Sequence, residues 1–280
     1  MTDSKSDDGF SDDCFRDYLR VTHRLTGITI GANRKALVRG RFRRRIRDLG
    51  LPGYSEYLDY LRSHPEETAT FVDLVTTNET HFFRTPRIWE YVEKEFLPSW
   101  HREHPGGTLR AWSAAASSGE EAGSLGILCQ EFRLRTPGFS FEVHGTDISE
   151  EQVGLCREGR YTGRSIEAFQ SNRPDLFRKY MRPEGEAFTL VPSVRERLRF
   201  QTHNLFERVR DPKPFDLVLL RNVLIYFVPT DQAKVLEQVH RALVPGGTLI
   251  IGESESLGSL KTDFDPLVPL IYRAGGKKAA

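Results

Sequence analysis

The sequence predicts an α/β protein, made of a helical N-terminal domain and a doubly wound parallel sheet that carries a small β insertion. Three observations support this prediction. Residues 15–74 have helical hydrophobic periodicity, apolar strand-like runs alternate with helical segments after residue 105, and this alternation breaks between residues 159 and 195. We expect a tail at 1–13, a helical domain at 14–85 and a sheet domain at 86–280, with the insertion at about 160–195.

Composition excludes several classes of protein. Lysine and arginine number 40 against 39 acidic residues, so no net field draws the chain to nucleic acid or to a membrane surface. No apolar run approaches the roughly 20 residues of a spanning helix, and we expect no direct insertion into a membrane. Three scattered cysteines and eight histidines without ligand spacing predict no disulfide framework, no metal site and a reducing cytoplasm.

The N-terminal region begins with the acidic, polar residues 1–13, which predict a disordered tail rather than a signal peptide. Beyond it, residues 33–49 predict a helix that we call the Arg-rich helix. An apolar stripe marks its inner face, and arginines without a neutralising acid before Asp48 cover the rest: Val38, Phe42, Ile46 and Leu49 inside; Arg39, Arg41, Arg43, Arg44, Arg45 and Arg47 outside. This face is either simply solvated or docks RNA, an acidic lipid surface or an acidic protein. Residues 54–61 predict a further helix.

The sheet domain is predicted from strands and helices in alternation. The strands are expected at residues 109–115, 139–146, 197–202, 215–220, 248–252 and 270–273, and helices at 148–158 and 231–243. A further helix is expected after Gly119, from the apolar spacing of residues 125–132. The segment Pro245-Gly246-Gly247 predicts a turn.

Polar residues follow several of these strands at their carboxyl ends, where open α/β sheets bind ligands. Gly119 opens a helix after the first strand, Asp147 ends the second, and Asn204 follows the third. An acid in this position accepts the two hydroxyls of a ribose, and an amide can recognise an adenine edge. Neither a GxGxxG fingerprint nor a GxxxxGK[ST] loop occurs, so the pattern favours a nucleoside cofactor without a pyrophosphate.

Each of these residues also has a purely structural interpretation. Asp147 could cap the helix that follows it, Glu120 and Glu121 could complement a helix dipole, and Asn204 could satisfy a loop carbonyl. The segment GESES at 252–256 lacks the GxSxG elbow of serine hydrolases, and no nucleophile triad is found.

The segment TTNETHFFR at 76–84 resembles the signature of the chemotaxis receptor methyltransferases, the CheR family. Four further segments resemble blocks of the same family, and the resemblance covers residues 15–273: AWSAAASSGEEAGSL, HGTDIS, PFDLVLLRNVLIYF and LVPGGTLIIGESESL. The resemblance implies a helical N-terminal domain and a class I, Rossmann-like methyltransferase sheet with an inserted β-subdomain.

The activity that the resemblance implies is the S-adenosylmethionine-dependent methylation of receptor glutamates to methyl esters, with S-adenosylhomocysteine as product. It also implies the positions of the site residues. The implied cofactor contacts are Asn78, Thr80, Arg84, Glu121, Asp147, Asn204, Leu205, Arg221 and Asn222, with Glu121 preferred to Glu120. The implied catalytic pair is Arg84 and Tyr226. Arg41, Arg44 and Arg45 of the Arg-rich helix are implied to face the cytoplasmic helices of the receptor.

Two departures from the family pattern are visible. Ala122-Gly123 replaces a common Pro-Tyr, and the loop at 181–186 is shorter than the form that grips a receptor C-terminal pentapeptide. We therefore expect a pentapeptide-independent, monomeric and cytoplasmic enzyme.

Two rival functions differ in what they require. A nucleic-acid methyltransferase needs a [DNS]PP[YFW] block and broader basic character, whereas this chain has Arg221-Asn222-Val223-Leu224 after the fourth strand. A non-catalytic signalling adaptor that binds S-adenosylmethionine or S-adenosylhomocysteine is the alternative left open.

Overall fold

The structure is a computed structural model that describes residues 9–275. The described chain divides into two compact units, each with its own hydrophobic core. The helical unit extends to Thr77 and includes Tyr226–Val228, and the sheet unit comprises Asn78–Ile225 and the chain from Pro229 onward.

The helical unit contains four α-helices, with a 3-10 turn at Ala32–Arg34 before the second: α1 Asp12–Thr26, α2 Lys35–Asp48, α3 Tyr54–Ser63 and α4 Glu67–Val75. Helix α2 is the predicted Arg-rich helix, and its apolar stripe faces the core. Val38, Phe42 and Ile46 are buried, and Leu49 is half-buried just beyond the helix. Phe42 packs against Tyr18 and Phe71 with ring centroids 4.9 and 5.0 Å apart, so aromatic contacts join α2 to α1 and α4.

The start of α1 differs from the tail expected at 1–13. Phe10 is buried against Tyr54, and the Ser11 hydroxyl caps the helix by accepting a 3.1 Å bond from the Cys14 amide. Asp12 and Asp13 therefore form the first helical turn, where acids complement the helix dipole. Residues 1–8 of the expected tail lie outside the described residues.

The sheet unit has a seven-stranded sheet with the strand order β6-β2-β1-β7-β8-β10-β9. Its strands are β1 Thr108–Ser113, β2 Ser140–Asp147, β6 Leu198–Thr202, β7 Phe215–Leu220, β8 Leu243–Ile251, β9 Phe264–Val268 and β10 Ile271–Ala274. The five strands from β6 to β8 are parallel, as predicted, and helices α7 Glu120–Arg135, α8 Glu150–Glu158 and α12 Pro229–Ala242 connect them.

The far edge of this sheet adds antiparallel strands to the predicted parallel arrangement. β10 pairs antiparallel with both β8 and β9, and β9 was not predicted because Pro266 interrupts its pattern. The expected turn at Pro245-Gly246-Gly247 is instead an irregularity inside β8. Phe215 pairs with Leu243 and Leu217 pairs with Thr248, so the four residues between bulge from the ladder.

The insertion is a separate three-stranded antiparallel sheet with the order β3-β5-β4, from β3 Arg160–Tyr161, β4 Met181–Glu184 and β5 Ala187–Leu190. Three short helices accompany it: α9 Arg164–Asn172, α10 Pro174–Tyr180 and α11 Pro192–Arg195. The small β-subdomain expected at about 160–195 is present.

Residues 86–103 form a helical stretch that the sequence analysis left unassigned. It consists of α5 Pro86–Tyr91, a π-helical segment Val92–Phe96 and α6 Leu97–Glu103. Pro98 has no N–H to donate to the helical ladder, which accounts for a break in α-geometry near this position. No helix within residues 9–275 has the length and apolar character that crossing a bilayer requires.

Candidate functional site

The candidate site lies at the carboxyl edge of the parallel strands of the sheet unit. From β1 the chain continues to β2 and β6 on one side, whereas β7 and β8 lie on the other side. The order of strands therefore reverses between β1 and β7, and open α/β sheets bind ligands at such a switch point. Ser113 pairs with Gly145 and with Leu219, which brings the loops after β1, β2 and β7 to one edge.

The loop after β1 turns sharply into α7. Ser117 and Gly119 both lie in the left-handed region, with φ of 49° and 99°. A Cβ at Gly119 would stand 3.2 Å from Cys156 Sγ and 3.3 Å from the Tyr161 hydroxyl, so glycine is required for both conformation and space. The glycine predicted to open this helix therefore does so.

Asp147 is fixed at the end of β2 by backbone amides. One carboxylate oxygen accepts a 2.8 Å bond from the Ser117 amide, and the other accepts a 3.0 Å bond from the Ser149 amide. Helix α8 is capped by Ser149, whose hydroxyl accepts from the Gln152 amide at 3.1 Å. The capping role considered for Asp147 thus belongs to Ser149, and Asp147 instead joins the loops after β1 and β2.

Glu121 and Arg221 form a buried ion pair at the switch point. Glu121 Oε2 lies 2.8 Å from Arg221 Nη1, and Glu121 Oε1 accepts a 2.8 Å bond from the Ser113 hydroxyl. The Arg221 side chain is 2% exposed and its Nη2 donates to the carbonyl of Arg84 at 2.8 Å. Both side chains support the site from inside, and their contact with a cofactor stays a prediction.

Glu120, the alternative to Glu121, is buried too. Its Oε2 accepts a 2.7 Å bond from the Ser118 hydroxyl, and its carbonyl accepts from the Ser124 hydroxyl. Burial among protein groups, with the Glu120 carboxylate as a neighbouring charge, raises the pKa of Tyr161 well above its usual range. Each of the two glutamates therefore has protein partners.

Arg84 lies in an unusual backbone turn between two residues with positive φ, Phe83 at 56° and Thr85 at 64°. Bulky and β-branched residues rarely adopt this region, and such strain persists only where the surroundings enforce it. Here the Phe83 amide donates to the Ser124 hydroxyl at 2.9 Å, and the Arg84 carbonyl accepts from Trp89 Nε1 at 2.8 Å. The turn is thus fixed by named contacts on both sides of Arg84.

The polar segment before this turn faces the loop after β1. The Asn78 carbonyl accepts a 2.9 Å bond from the Ser117 hydroxyl, and Thr80 is half-buried. The Arg84 guanidinium donates to the Glu79 carbonyl at 3.0 Å. Burial, together with the positive charge of Arg84, lowers the pKa of His81, so that this histidine is neutral near pH 7.

Asn204 and Leu205 follow β6, as predicted. Asn204 Oδ1 accepts a 3.1 Å bond from the Phe206 amide, and Leu205 is buried. The amide side chain therefore shapes its own loop, and recognition of an adenine edge by Asn204 stays a prediction.

Asn222, at the carboxyl end of β7, has a φ of 58°, which asparagine tolerates better than most residues. Its backbone amide donates to Glu255 at 3.0 Å. Glu255 is an important residue that the sequence analysis missed, although it lies in the GESES segment. Burial raises its pKa, and four backbone amides that donate to the carboxylate oppose that effect.

Tyr226, the second predicted catalytic residue, belongs to the helical unit. Its carbonyl accepts a 2.8 Å bond from the Thr29 amide. Burial lowers the pKa of Arg41, and the electrostatic interaction of that residue with Tyr226 opposes the shift. Arg41 is therefore an electrostatic neighbour of Tyr226 within this unit.

The three predicted docking arginines have different surroundings. Arg41 Nη1 donates to the carbonyl of Val75 at 2.7 Å, where α4 ends, and its Nη2 donates to the Thr77 hydroxyl at 2.8 Å. Arg45 forms a two-point ion pair with the buried Glu67, with one bond of 2.9 Å, and Tyr57 donates to the same carboxylate. Arg44 is 85% exposed and faces solvent beside Asp48.

The solvent face of α2 carries four exposed arginines, Arg39, Arg43, Arg44 and Arg47, beside the exposed residues Ala36, Leu37, Gly40 and Asp48. Only Arg44 belongs to the predicted docking set. Arg41 and Arg45 were included because the sequence shows charge density without showing which side chains turn inward to α4. Among residues 9–275, no group of three His, Cys, Asp or Glu residues is arranged to hold a metal ion.

Comparison with known protein families gives two matches that together cover most of the chain. Residues 14–76 match the all-alpha domain of the CheR methyltransferases, and residues 78–269 match their SAM binding domain. The boundary between these matches falls at the division between the two compact units.

Individual relatives resemble the chain over nearly its full length. Chemotaxis protein methyltransferase Cher2 of Pseudomonas putida is 31% identical over 89% of this chain and 92% of that protein. Chemotaxis protein methyltransferase 1 of Vibrio cholerae is 33% identical over 91% of this chain and 93% of that protein. A solved SAM-dependent methyltransferase from Methanosarcina mazei is 16% identical, with a TM-score of 0.34 over 55% of this chain and 56% of that one.

Proposed function

Since this chain belongs to the CheR methyltransferase family, we propose that it transfers a methyl group from S-adenosylmethionine to glutamate side chains of chemoreceptors, giving methyl esters. The cofactor itself follows from the family, whose SAM binding domain spans residues 78–269. The observation that carries the proposal is the convergence of Asp147, the Gly119 turn and the Arg84 turn at the carboxyl edge of one sheet.

The donor set of the sheet unit suits S-adenosylmethionine. Asp147 stands at the end of β2 with its carboxylate oriented by two amides, where an acid can accept ribose hydroxyls. Asn204 and Leu205 supply an amide and an apolar side chain for the base. Asn78, Thr80 and Asn222 supply further polar groups, and Glu121, whose charge is paired with Arg221, is a further proposed contact.

The bound cofactor supplies a methyl group on a positively charged sulfur. A glutamate side chain, with a reference pKa of about 4.3, is already ionised at neutral pH and needs no general base. The work of the protein is therefore to align the carboxylate and to exclude water from it.

Arg84 and Tyr226 are proposed to orient the receptor carboxylate. Trp89 and Arg221 both donate hydrogen bonds to the Arg84 carbonyl and so fix the backbone of this strained turn. The Arg84 guanidinium therefore extends from a fixed backbone position. A hydrogen bond from the Tyr226 hydroxyl would hold the carboxylate without withdrawing as much charge as a close ion pair. Arg84→Ala and Tyr226→Phe should each lower kcat by about 100-fold, in line with a lost alignment contact.

The exposed arginines of α2 are proposed to dock the receptor. Arg43, Arg44 and Arg47 face solvent and would attract acidic receptor helices, with an affinity that falls as salt rises. The hairpin between β4 and β5 turns through only Gly185 and Glu186, which supports recognition without a C-terminal pentapeptide. We propose action in the cytoplasm as a monomer.

Labelled methyl transfer to a purified chemoreceptor cytoplasmic fragment tests the reaction. We expect label in the fragment that carries glutamates, none in a fragment with those glutamates changed to glutamine, and release of labelled methanol by mild alkali. Removing a C-terminal pentapeptide from the fragment should leave the rate unchanged.

Three outcomes would contradict parts of this proposal. Alkali-stable label would point to methylation of nitrogen rather than to an ester. A rate that collapses without the pentapeptide would overturn pentapeptide independence. Tight binding of S-adenosylhomocysteine without any transfer would favour the non-catalytic adaptor.

A further inference from the structure

The GESES segment after β8 contains Glu255, whose carboxylate accepts hydrogen bonds from four backbone amides. Glu255 Oε1 accepts from the amides of Val223 at 2.8 Å and Leu224 at 2.7 Å. Its Oε2 accepts from Asn222 at 3.0 Å and Gly252 at 2.6 Å. An ionised carboxylate has about four acceptor positions, so these bonds use all of them.

Three of these four donors are consecutive amides in the loop after β7. Successive amides that point to one side form a concave anion site, known as a nest, which usually holds a ligand or substrate anion. Here the nest is filled by a side chain of the protein, and Glu255 is only 7% exposed. The loop after β7 therefore binds a carboxylate from the segment that follows β8.

Asn222 and Gly252 have the backbone conformation and the small size that this carboxylate contact requires. Asn222 takes the positive φ of 58° that turns the three amides inward. A Cβ at Gly252 would lie 2.8 Å from Glu255 Oε2 and 2.8 Å from Asn222 Nδ2, so no larger residue fits without displacing one of them. The contact is thus built from both loops.

We propose that Glu255 is a positioning residue for methyl transfer, which holds the Asn222–Leu224 backbone in its working conformation. This inference rests on the proposed function, because Asn222 is a proposed cofactor contact and Tyr226 follows Leu224 by two positions in the chain. The four bonds that the Glu255 carboxylate accepts all come from backbone amides, so its proposed role is indirect. Its carboxylate acts only through the loop that it holds.

Glu255→Gln tests the proposal with almost no change in size. Glutamine replaces one acceptor oxygen by an NH2 donor, so two of the four amides face a donor instead of an acceptor. We expect kcat/KM for S-adenosylmethionine to fall about 100-fold, because misplacement by about 1 Å can cost that much. The KM for the receptor fragment should stay within about twofold, since the exposed arginines of α2 that are proposed to dock the receptor are unchanged.

Hydrogen exchange supplies a readout that does not depend on activity. In the wild type, the amides of residues 222–224 are held by a buried carboxylate and should exchange slowly. In Glu255→Gln, a peptide covering these residues should exchange about tenfold faster or more, while peptides from β1 and β2 should be unchanged.

Glu131→Gln is the matched control for charge removal. Glu131 lies in α7, is half-buried, and pairs with Lys179 and Tyr180 far along the helix from its N-terminus. Its loss should lower the unfolding midpoint but leave kcat and the KM for S-adenosylmethionine unchanged. This control shows whether a loss of protein stability alone lowers activity, or whether the Asn222–Leu224 backbone must be held in position.

Gly252→Ala is the second variant, for use if Glu255→Gln does not fold. Gly252 lies outside the left-handed region, so alanine is allowed in the backbone, and its Cβ would press on both sides of the contact: Glu255 Oε2 at 2.8 Å, and Asn222 at 2.8 Å from Nδ2 and 2.9 Å from the backbone nitrogen. We expect a loss of about tenfold in kcat/KM for S-adenosylmethionine, with faster exchange of the same peptide.

Two results would overturn the proposal. Fast exchange at residues 222–224 with wild-type kinetics would show that the loop need not be held, and slow exchange in both variants would show that the carboxylate does not hold it. A wild-type protein without any methyl transfer would instead overturn the proposed function. In that case the exchange data, together with the affinity for S-adenosylhomocysteine, still decide whether Glu255 holds the loop.

Discussion

Each unit of the molecule contains an arginine–carboxylate pair, and the two pairs differ in how far water is excluded. In the helical unit, the Arg45 side chain is 34% exposed and its partner Glu67 is 3% exposed. In the sheet unit, Arg221 is 2% exposed and Glu121 is 10% exposed. The first pair lies at the rim of a core, and the second lies inside one.

This difference teaches that an arginine in a conspicuous sequence pattern is not necessarily a binding residue. On α2, the inward arginines attach the helix to α4, and the outward ones are exposed, where we propose that they bind the receptor. At the end of β7, the arginine of a signature block supports Glu121 and the Arg84 carbonyl from within.

The largest expected effect is from breaking the buried pair. Arg221→Met leaves the Glu121 carboxylate buried without its cation, which typically costs about 3–5 kcal/mol. Urea unfolding followed by circular dichroism should show this loss. The double variant Glu121→Leu with Arg221→Met should recover most of the stability, because an apolar pair of similar volume is often neutral or better. If the double variant is no more stable than Arg221→Met, the pair is not the internal support described above.

The partly exposed pair of Arg45 and Glu67 should contribute less to stability, and its contribution should depend on pH. Burial acts to raise the pKa of Glu67, but hydrogen bonds from Arg45 and Tyr57 outweigh burial and lower it. A lowered folded pKa means that this stability is present above the unfolded value of about 4.3 and is lost as the pH falls through the folded pKa.

Arg45→Ala should therefore cost about 1–2 kcal/mol at pH 7, less than Arg221→Met because the pair is partly hydrated. Without Arg45, the main cause of the lowered Glu67 pKa is absent, so the loss of stability as the pH falls should be smaller. Unfolding midpoints between pH 3 and pH 7 provide the measurement. Parallel curves for the wild type and the variant would show that Arg45 does not set the titration of Glu67.

Most of the fold could be predicted from hydrophobic periodicity and from the alternation of strands with helices. Both patterns arise because each helix or strand buries apolar side chains in the core. β7 was predicted at its observed bounds, and the stripe of Val38, Phe42 and Ile46 is buried as expected. β9 and the helical stretch at 86–103 were missed, because Pro266 and Pro98 interrupt the local patterns whereas tertiary packing tolerates them.

The candidate site was predictable in its positions but not in its internal connections. The sequence locates Gly119, Asp147 and Asn222 after strands, where ligands bind. It does not show that Ser149 rather than Asp147 caps α8, nor that Glu255 gathers three amides from a loop about 30 residues away. Such contacts depend on which loops meet in space, and no local pattern encodes them.

Charge reversal on the solvent face of α2 should affect binding without affecting stability. Arg43→Glu with Arg44→Glu and Arg47→Glu should raise the Kd for a receptor fragment about tenfold or more at low salt, and this difference should shrink as salt rises. Surface changes of this kind usually alter stability by about 0.5 kcal/mol or less each. Arg41→Gln is the comparison, because it removes the bonds to Val75 and Thr77 and should act mainly on stability. A receptor affinity that responds to Arg41 alone would reverse the assignment of inward and outward arginines.

The smallest effect is expected at the exposed pair of Arg44 and Asp48, which are 3.4 Å apart. Asp48→Asn should change the free energy of unfolding by about 0.5 kcal/mol or less, since exposed pairs are hydrated and screened. Thermal unfolding at low salt is the most sensitive check. A change near that of Arg45→Ala would contradict the link between water exclusion and strength.

We propose above all that the cofactor binds at the carboxyl edge of the sheet. Calorimetric titration with S-adenosylhomocysteine tests this most directly. Asp147→Ala should weaken binding by about tenfold or more, because the ribose loses its acceptor. Ser149→Ala, which removes the true helix cap, should cost about 1 kcal/mol of stability and leave binding nearly unchanged. Equal losses of affinity in both variants, or wild-type affinity in Asp147→Ala, would contradict the account.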